Sequence, residues 1–229
     1  MGENWLVIET SGRAGKVGLA RAGAVVRAAD LDATRRHARD LAAAVSALLA
    51  AEALTPSDLT GVMVSTGPGG YTGLRVGVMS AKALAYATGC RLVAVPTFAA
   101  IAARSPAEVG FVNVVADALK GQVYAQRYAR RPDGWFPTDS LRIEPAVAWA
   151  AGLPDGELVS GPGVAACAAV VPAGSPRAAD AEREPSVESL FRAGSILSPA
   201  TRDEMFTLEP LYLRGSSAEE NAKTEKPRG

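Results

Sequence analysis

A glycine-rich loop between an apolar strand and a helix is the most informative stretch of this chain: residues 65–77 have the sequence STGPGGYTGLRVG. Gly61–Ser65 form a short apolar run before it, and Thr72–Thr88 have the character of a helix that stops at Gly89. A loop of this kind can bind an anion, because free backbone N–H groups point out of it at the helix start. The stretch lacks the Lys-Ser/Thr pair of a P-loop, and a tight strand-to-helix connection is the plainer interpretation.

Small residues recur at every fourth position of the helix that follows the loop. Gly73, Gly77, Ala81 and Ala85 form one slowly drifting stripe on a helix of 3.6 residues per turn. Glycine inside a helix costs about 1 kcal/mol relative to alanine, so the stripe suggests that another backbone approaches closely. That backbone belongs either to the chain's own sheet or to a helix of another subunit. We take the second alternative as the sharper prediction.

Three strand candidates at the N-terminus have counterparts in the second half of the chain. The first three are Trp5–Thr10, Lys16–Arg21 and Ala24–Asp30, and their counterparts are Phe111–Ala116, Gly121–Tyr128 and Leu141–Glu144. This repeat predicts an internal duplication, and the helices between the strands favour an α/β arrangement with mixed sheets. The composition places a boundary near residues 104–110.

Glu9 and Asp117 lie near the ends of corresponding strands in the two halves. In nucleotide-binding proteins of the actin–hexokinase type, such carboxylates face a cleft and position a metal-bound phosphate. Here Glu9 is followed by Thr-Ser-Gly and lacks the Asp-x-Gly turn that lets a backbone approach phosphate. A role as plain turn formers or loop anchors is the favoured interpretation.

The composition argues against several classes of protein. The 24 Lys and Arg balance the 24 Asp and Glu, whereas a protein that grips phosphate backbones alone usually carries a basic excess. His37 is the only histidine, so we predict no metal site and no catalytic residue. Two cysteines without CxxC spacing, and no apolar run long enough to cross a membrane, indicate a cytoplasmic protein with reduced thiols.

Taken together, these pieces resemble the TsaB/YeaZ family. The matching segments are WLVIETS (5–11), the Arg36-His37-Ala38 helix start, GPGGYTGLRVG (67–77), VVADALKGQVYAQRY (114–128) and LEPLYLR (208–214). They follow the family's order from residue 5 to about residue 214. One departure is Glu9, where the family usually has Asp, and it weakens any argument for nucleotide chemistry.

The resemblance implies a duplicated α/β fold of the actin-like, ribonuclease-H-like type, with two lobes of mixed sheet plus helices. We assign residues 1–106 to an N-terminal lobe that carries the dimerisation surface and residues 107–214 to a C-terminal lobe. Residues 215–229 are polar without core-forming side chains, which predicts a disordered tail.

The resemblance also implies a non-catalytic scaffold subunit of the machinery that threonylcarbamoylates the adenosine next to the anticodon in tRNAs reading codons that begin with A. Expected partners are a TsaD-type catalytic subunit and a TsaE-type ATPase, with a homodimer in isolation, tRNA contact only through the complex, and no membrane. No cofactor is expected to bind tightly, while ATP or ADP is possible at the level of the complex. The predicted partner contacts are His37, Leu41, Val45, Gly73, Gly77, Ala81 and Ala85.

The alternative function is an independent ATPase or kinase-like enzyme of the actin/hexokinase superfamily. Its anion or nucleotide site would use Glu9, Gly67, Gly69, Gly70 and Asp117.

Overall fold

Two five-stranded sheets, one in each half of the chain, form the framework of the molecule. The structure, a computed structural model, describes residues 3–31 and 37–211, and of residues 37–39 only the backbone. The predicted tail of residues 215–229 lies outside the described residues.

The first sheet has the strand order β3-β2-β1-β4-β5. Its strands are β1 (Asn4–Glu9), β2 (Lys16–Arg21), β3 (Ala24–Asp30), β4 (Gly61–Ser65) and β5 (Arg91–Val95). The first three, all predicted as strands, pair antiparallel as a meander, and β4 and β5 extend the sheet in parallel with β1. β1 is the central strand and is almost wholly buried. This agrees with its continuous apolar sequence, because a strand covered on both faces has no side that meets water.

Helices cover both faces of this sheet. On one face lie α1 (His37–Ala51) and α2 (Tyr71–Thr88), whose apolar residues share a core cluster with β1, β2 and β4. On the other face lie α3 (Thr97–Ala102) and α5 (Val187–Gly194). Within the described ranges, none of the helices combines the length and the apolar character needed to cross a bilayer.

The second sheet repeats the centre of the first, with the order β10-β6-β7-β8 and β9 also paired with β7. Its strands are β6 (Phe111–Asp117), β7 (Gln122–Arg131), β8 (Gly134–Pro137), β9 (Arg142–Pro145) and β10 (Leu158–Ser160). The short helix α4 (Ala146–Ala151) lies between β9 and β10 in the chain. β6 pairs antiparallel with β7 and parallel with β10, as β1 does with β2 and β4. The predicted duplicated, actin-like α/β fold is confirmed.

Residues 187–211 return to the first lobe, which differs from the assignment of residues 107–214 to the second lobe. α5 packs on the first sheet, and Gly194 lies against Met63 of β4. The segment that contains α6 (Arg202–Thr207) is tied to the first lobe at both ends, where Ala200 N–H donates to a carbonyl of β5 and Leu211 N–H to Thr66. Residues 187–211 therefore belong structurally to the first lobe, because α5 is buried against its sheet and the segment after it is hydrogen-bonded to that lobe at both ends.

The two lobes share one apolar core. A single buried cluster contains Val95 and Phe98 of the first lobe, Val112 and Tyr128 of the second, and Leu190 of α5 between them. Separating the lobes would expose this cluster to water, which costs about 25 cal/mol for each Å² of apolar surface.

Candidate functional site

Two concave regions contain some of the residues that the sequence singled out. One is a cleft of about 410 Å³ between the lobes, where the β1–β2 turn, the glycine loop and the β6–β7 turn meet. The other is a groove of about 530 Å³ on the outer face of the first lobe, between α1 and α2.

Glu9 lies behind the cleft and does not line it. Its side chain is 1% exposed, and its Oε1 accepts hydrogen bonds from the Ser11 N–H at 2.6 Å and from the Ser11 hydroxyl. Its Oε2 has no hydrogen-bond partner among the residues that the structure describes. Burial raises the pKa of this carboxyl, against the opposing effect of the Ser11 hydrogen bonds. Glu9 thus anchors the β1–β2 turn, which is the favoured interpretation from the sequence.

The glycine loop uses backbone N–H groups within the protein. Gly67 N–H donates to the Thr97 hydroxyl at 3.1 Å, and Gly70 N–H donates to the Ser11 carbonyl at 2.7 Å. A Cβ built on Gly69 would lie 2.6 Å from the Ser11 carbonyl oxygen. The loop therefore packs tightly on the β1–β2 turn, and two of the N–H groups that an anion would need are already bound.

Asp117 is the member of the predicted acidic pair that reaches the cleft. Its carboxylate accepts a hydrogen bond from the Leu119 N–H at 2.7 Å, so it also stabilises its own β6–β7 turn. Of the predicted anion site, the structure brings Gly69, Gly70 and Asp117 to the cleft and leaves Glu9 and Gly67 outside its lining.

A second carboxylate in the cleft comes from the segment that precedes α5. Glu184 lies so close to the β1–β2 turn that a Cβ on Gly12 would be 2.7 Å from its Oε2. The next residue, Pro185, is held by a hydrogen bond from Lys16 Nζ to its carbonyl at 3.2 Å. The Glu184 carboxylate disfavours a phosphate at this turn, whereas Arg13, which lines the same cleft, favours one. No sequence signal identifies Glu184, because its position depends on the fold.

The small-residue stripe of α2 faces the chain's own sheet. A Cβ on Gly73 would lie 2.1 Å from the Thr10 carbonyl oxygen, and one on Gly77 would lie 2.2 Å from Thr10 Oγ1. Ala81 and Ala85 are buried on the same side. The approaching backbone is the end of β1, so the prediction that Gly73, Gly77, Ala81 and Ala85 contact a partner is wrong.

Of the other predicted contacts, Leu41 and Val45 of α1 line the groove. Leu41 is buried at its base, whereas Val45 is half-buried at its side. The side chain of His37 lies outside the described residues.

The walls of the groove are apolar and contain many small residues. The larger apolar residues that line it are Leu6, Ile8, Leu41, Val45, Leu49, Leu54 and Leu84, and the small ones are Ala42, Ser46, Ala50, Ser80, Ala83 and Ala87. Small residues on facing helices let a third helix approach closely and place its side chains between the two. The groove is therefore suited to an apolar helical surface.

Among the residues that the structure describes, no three His, Cys, Asp or Glu side chains lie close enough together to hold a metal ion.

Comparison with known proteins finds a matching family model and several similar proteins. The family model of the tRNA N6-adenosine threonylcarbamoyltransferase TsaD matches residues 31–133. An uncharacterised protein of Mycobacterium tuberculosis, Rv3421c, is 35% identical over 187 residues, which are 80% of this chain and 78% of that protein. The tRNA threonylcarbamoyladenosine biosynthesis protein TsaB of Bacillus subtilis is 33% identical over 123 residues, or 54% of each chain.

The fold also matches a solved structure. YeaZ from Pseudomonas aeruginosa superposes with a TM-score of 0.79 at 22% identity, covering 92% of this chain and 100% of that one. The matching fold, the named relatives and the family model agree with the motifs in the sequence. The chain belongs to the TsaB/YeaZ family.

Proposed function

We propose that this protein is an accessory subunit that binds a TsaD-type catalytic subunit. Through this partner it would support threonylcarbamoylation of the adenosine next to the anticodon in tRNAs reading codons that begin with A. The observation that carries the proposal is the apolar groove between α1 and α2, which no element of the described chain fills. The name of the Bacillus subtilis relative supports the choice of pathway.

The family-model match suggests what the partner presents to the groove. The match to the TsaD family covers residues 31–133, which include α1 and α2. A TsaD-type subunit with a related lobe would carry a matching pair of helices, and two such pairs pack around a pseudo-two-fold axis. A second copy of this chain would dock in the same way, which accounts for the predicted homodimer in isolation.

The chemistry is assigned to the partner because the cleft of this chain suits nucleotide phosphates poorly. Glu184 lies against the turn where phosphate would approach, and the glycine loop is bonded to Ser11. Four further expectations stay predictions: a TsaE-type ATPase as a partner, ATP or ADP at the level of the complex, tRNA contact only through the complex, and a cytoplasmic location.

A binding experiment with a matched control tests the proposal. Ala83 is exposed and lines the groove, so Ala83→Arg would place a charge in the apolar interface. Ala151 is also exposed at a helix end, but it lies on α4 of the second lobe. We expect the wild-type protein and Ala151→Arg to bind the catalytic subunit from the same organism in size-exclusion chromatography and calorimetry, and Ala83→Arg to lose binding by at least about 100-fold. Equal binding by all three proteins would refute the groove as the docking site.

A further inference from the structure

We infer that residues 200–211, here called the strap, extend the partner-binding surface beyond the groove, with Tyr86 and Phe206 as its aromatic contacts. The partner in question is a chain that presents a paired-helix face. This inference rests on the proposed function, since it concerns the same partner, and it adds an element of the C-terminal segment to the surface.

The strap is fixed to the first lobe along its whole length. Its ends are held by hydrogen bonds of 2.8 Å, from Ala200 N–H to the Leu92 carbonyl and from Leu211 N–H to the Thr66 carbonyl. Between them, Met205 packs against the core beneath α1 and α2. The strap therefore lies beside α2 as an ordered part of its surface.

Lys82 of α2 holds the end of α6 in place. Its Nζ donates to the carbonyl of Phe206 at 2.8 Å and to that of Leu208 at 2.9 Å. These bonds satisfy carbonyls that a helix C-terminus leaves without intrahelical partners. They also fix the backbone that carries Phe206, so a partner would lose little conformational entropy in binding there.

Phe206 and Tyr86 form an aromatic pair that stays largely in solvent. The rings are 6.0 Å apart between centroids at an angle of 66°. Phe206 is 52% exposed and Tyr86 is 67% exposed. Rigid aromatic side chains that lie on the surface and are already oriented are typical of the residues that dominate protein–protein binding.

The aromatic pair is continuous with the groove. Val76, Met79, Ala83 and Tyr86 follow one another at spacings of three or four along the outward side of α2. Ala83 lines the groove and Tyr86 contacts Phe206, so an apolar ridge joins the two regions. A helix is about 10 Å across, so a partner helix beside this ridge would reach both. This continuity argues that the partner in the groove also covers the strap.

Alanine substitutions test the role of the aromatic pair. Phe206→Ala and Tyr86→Ala are each expected to weaken binding to the catalytic subunit by about 10-fold or more, because each removes apolar contact from the interface. Phe111→Ala is the control, since Phe111 is 41% exposed but lies on β6 of the second lobe. This control is expected to bind within about twofold of the wild type.

Hydrogen exchange gives a second readout that does not depend on a substitution. Amides of residues 202–211 in the wild-type protein are expected to exchange more slowly in the complex than in the free chain, measured at a concentration at which the free chain is monomeric. This inference would be overturned if both aromatic variants bound with wild-type affinity and exchange in the strap were unchanged. The proposed function would still stand in that case if Ala83→Arg abolished binding. A wild-type protein that does not bind at all would instead overturn the proposed function and this inference with it.

Discussion

Gly73 and Gly77 bring the backbone of α2 against Thr10 at the end of β1. The four-residue spacing of small residues correctly predicted a close backbone approach on this side of the helix. It could not identify the backbone, because packing on a sheet and packing on another subunit require the same absence of side-chain volume. The sequence of the glycine loop also allowed two interpretations, an anion site or a tight strand-to-helix connection. In the structure the loop forms a tight connection.

Gly77→Ala is expected to lower the free energy of unfolding by about 2 kcal/mol or more, despite alanine's higher helix propensity, because its Cβ would clash with Thr10 Oγ1. Gly110→Ala is the control, since nothing lies within 4 Å of its Cβ position. Urea unfolding measures both. Equal stability of Gly77→Ala and the wild type would show that α2 does not pack on β1 this closely.

Glu9 should make stability depend on pH in a direction opposite to that of a salt-bridged acid. Its pKa is raised in the folded state by burial, so above about pH 4 the native state binds more protons than the unfolded state. The free energy of unfolding then falls as pH rises through this range. Glu9→Gln removes the charge, so it should be more stable than the wild type at pH 8.

The advantage of Glu9→Gln is expected to shrink as the pH is lowered and to vanish below about pH 3.5, where the wild-type carboxyl is protonated in both states. Urea midpoints at pH 8 and pH 5 measure this change, with the exposed Glu108→Gln as a control. A stability difference between Glu9→Gln and the wild type that is the same at both pH values would contradict the account of Glu9.

Among the elements, most strands and helices follow directly from apolar runs and turn residues. The meander of the first lobe, α2 with its stop at Gly89 and the repeat at β6 and β7 were all predictable. The predicted third strand of the second half, Leu141–Glu144, is confirmed as β9, whereas β8 was not predicted. The ten-residue β7 pairs with β8 along one half and with β9 along the other. Local sequence does not reveal that two short strands share one long neighbour.

The strap illustrates how one long-range contact fixes an element. Lys82→Met removes both hydrogen bonds to the end of α6, so amides of residues 205–208 should exchange about 10-fold faster, while the rest of α2 stays unchanged. Arg75→Met on the same helix is the control, because Arg75 hydrogen-bonds and stacks with Tyr71 of its own helix. Hydrogen exchange that is unaltered in α6 would show that Lys82 does not hold the strap.

At the scale of the whole molecule, the lobes share a core and the cleft between them contains the Glu184 carboxylate. The isolated chain is therefore expected to bind Mg-ATP no more tightly than about 1 mM and to show no turnover. Calorimetry and phosphate release measure the two properties. Tight binding with turnover by the isolated chain would favour the alternative of an independent nucleotide-hydrolysing enzyme.

Sequence motifs identified the family and the duplicated fold, but not the surface that the proposal uses. The pair Leu41 and Val45 pointed to the groove, whereas Ala83, Tyr86 and Phe206 became apparent only from the packing of α1, α2 and the strap. Glu184 is of the same kind, since it is 172 residues from Gly12 along the chain and lies beside it only in the folded structure.

Reconstituted tRNA modification tests the central claim most directly. The catalytic subunit, its activated substrate and tRNA would be assayed for threonylcarbamoyl-adenosine with the wild-type chain, with Ala83→Arg and without either. The account predicts modification with the wild-type chain and at least about 10-fold less in the other two reactions, because the catalytic subunit needs the docked accessory subunit. Equal modification without this chain would contradict the account.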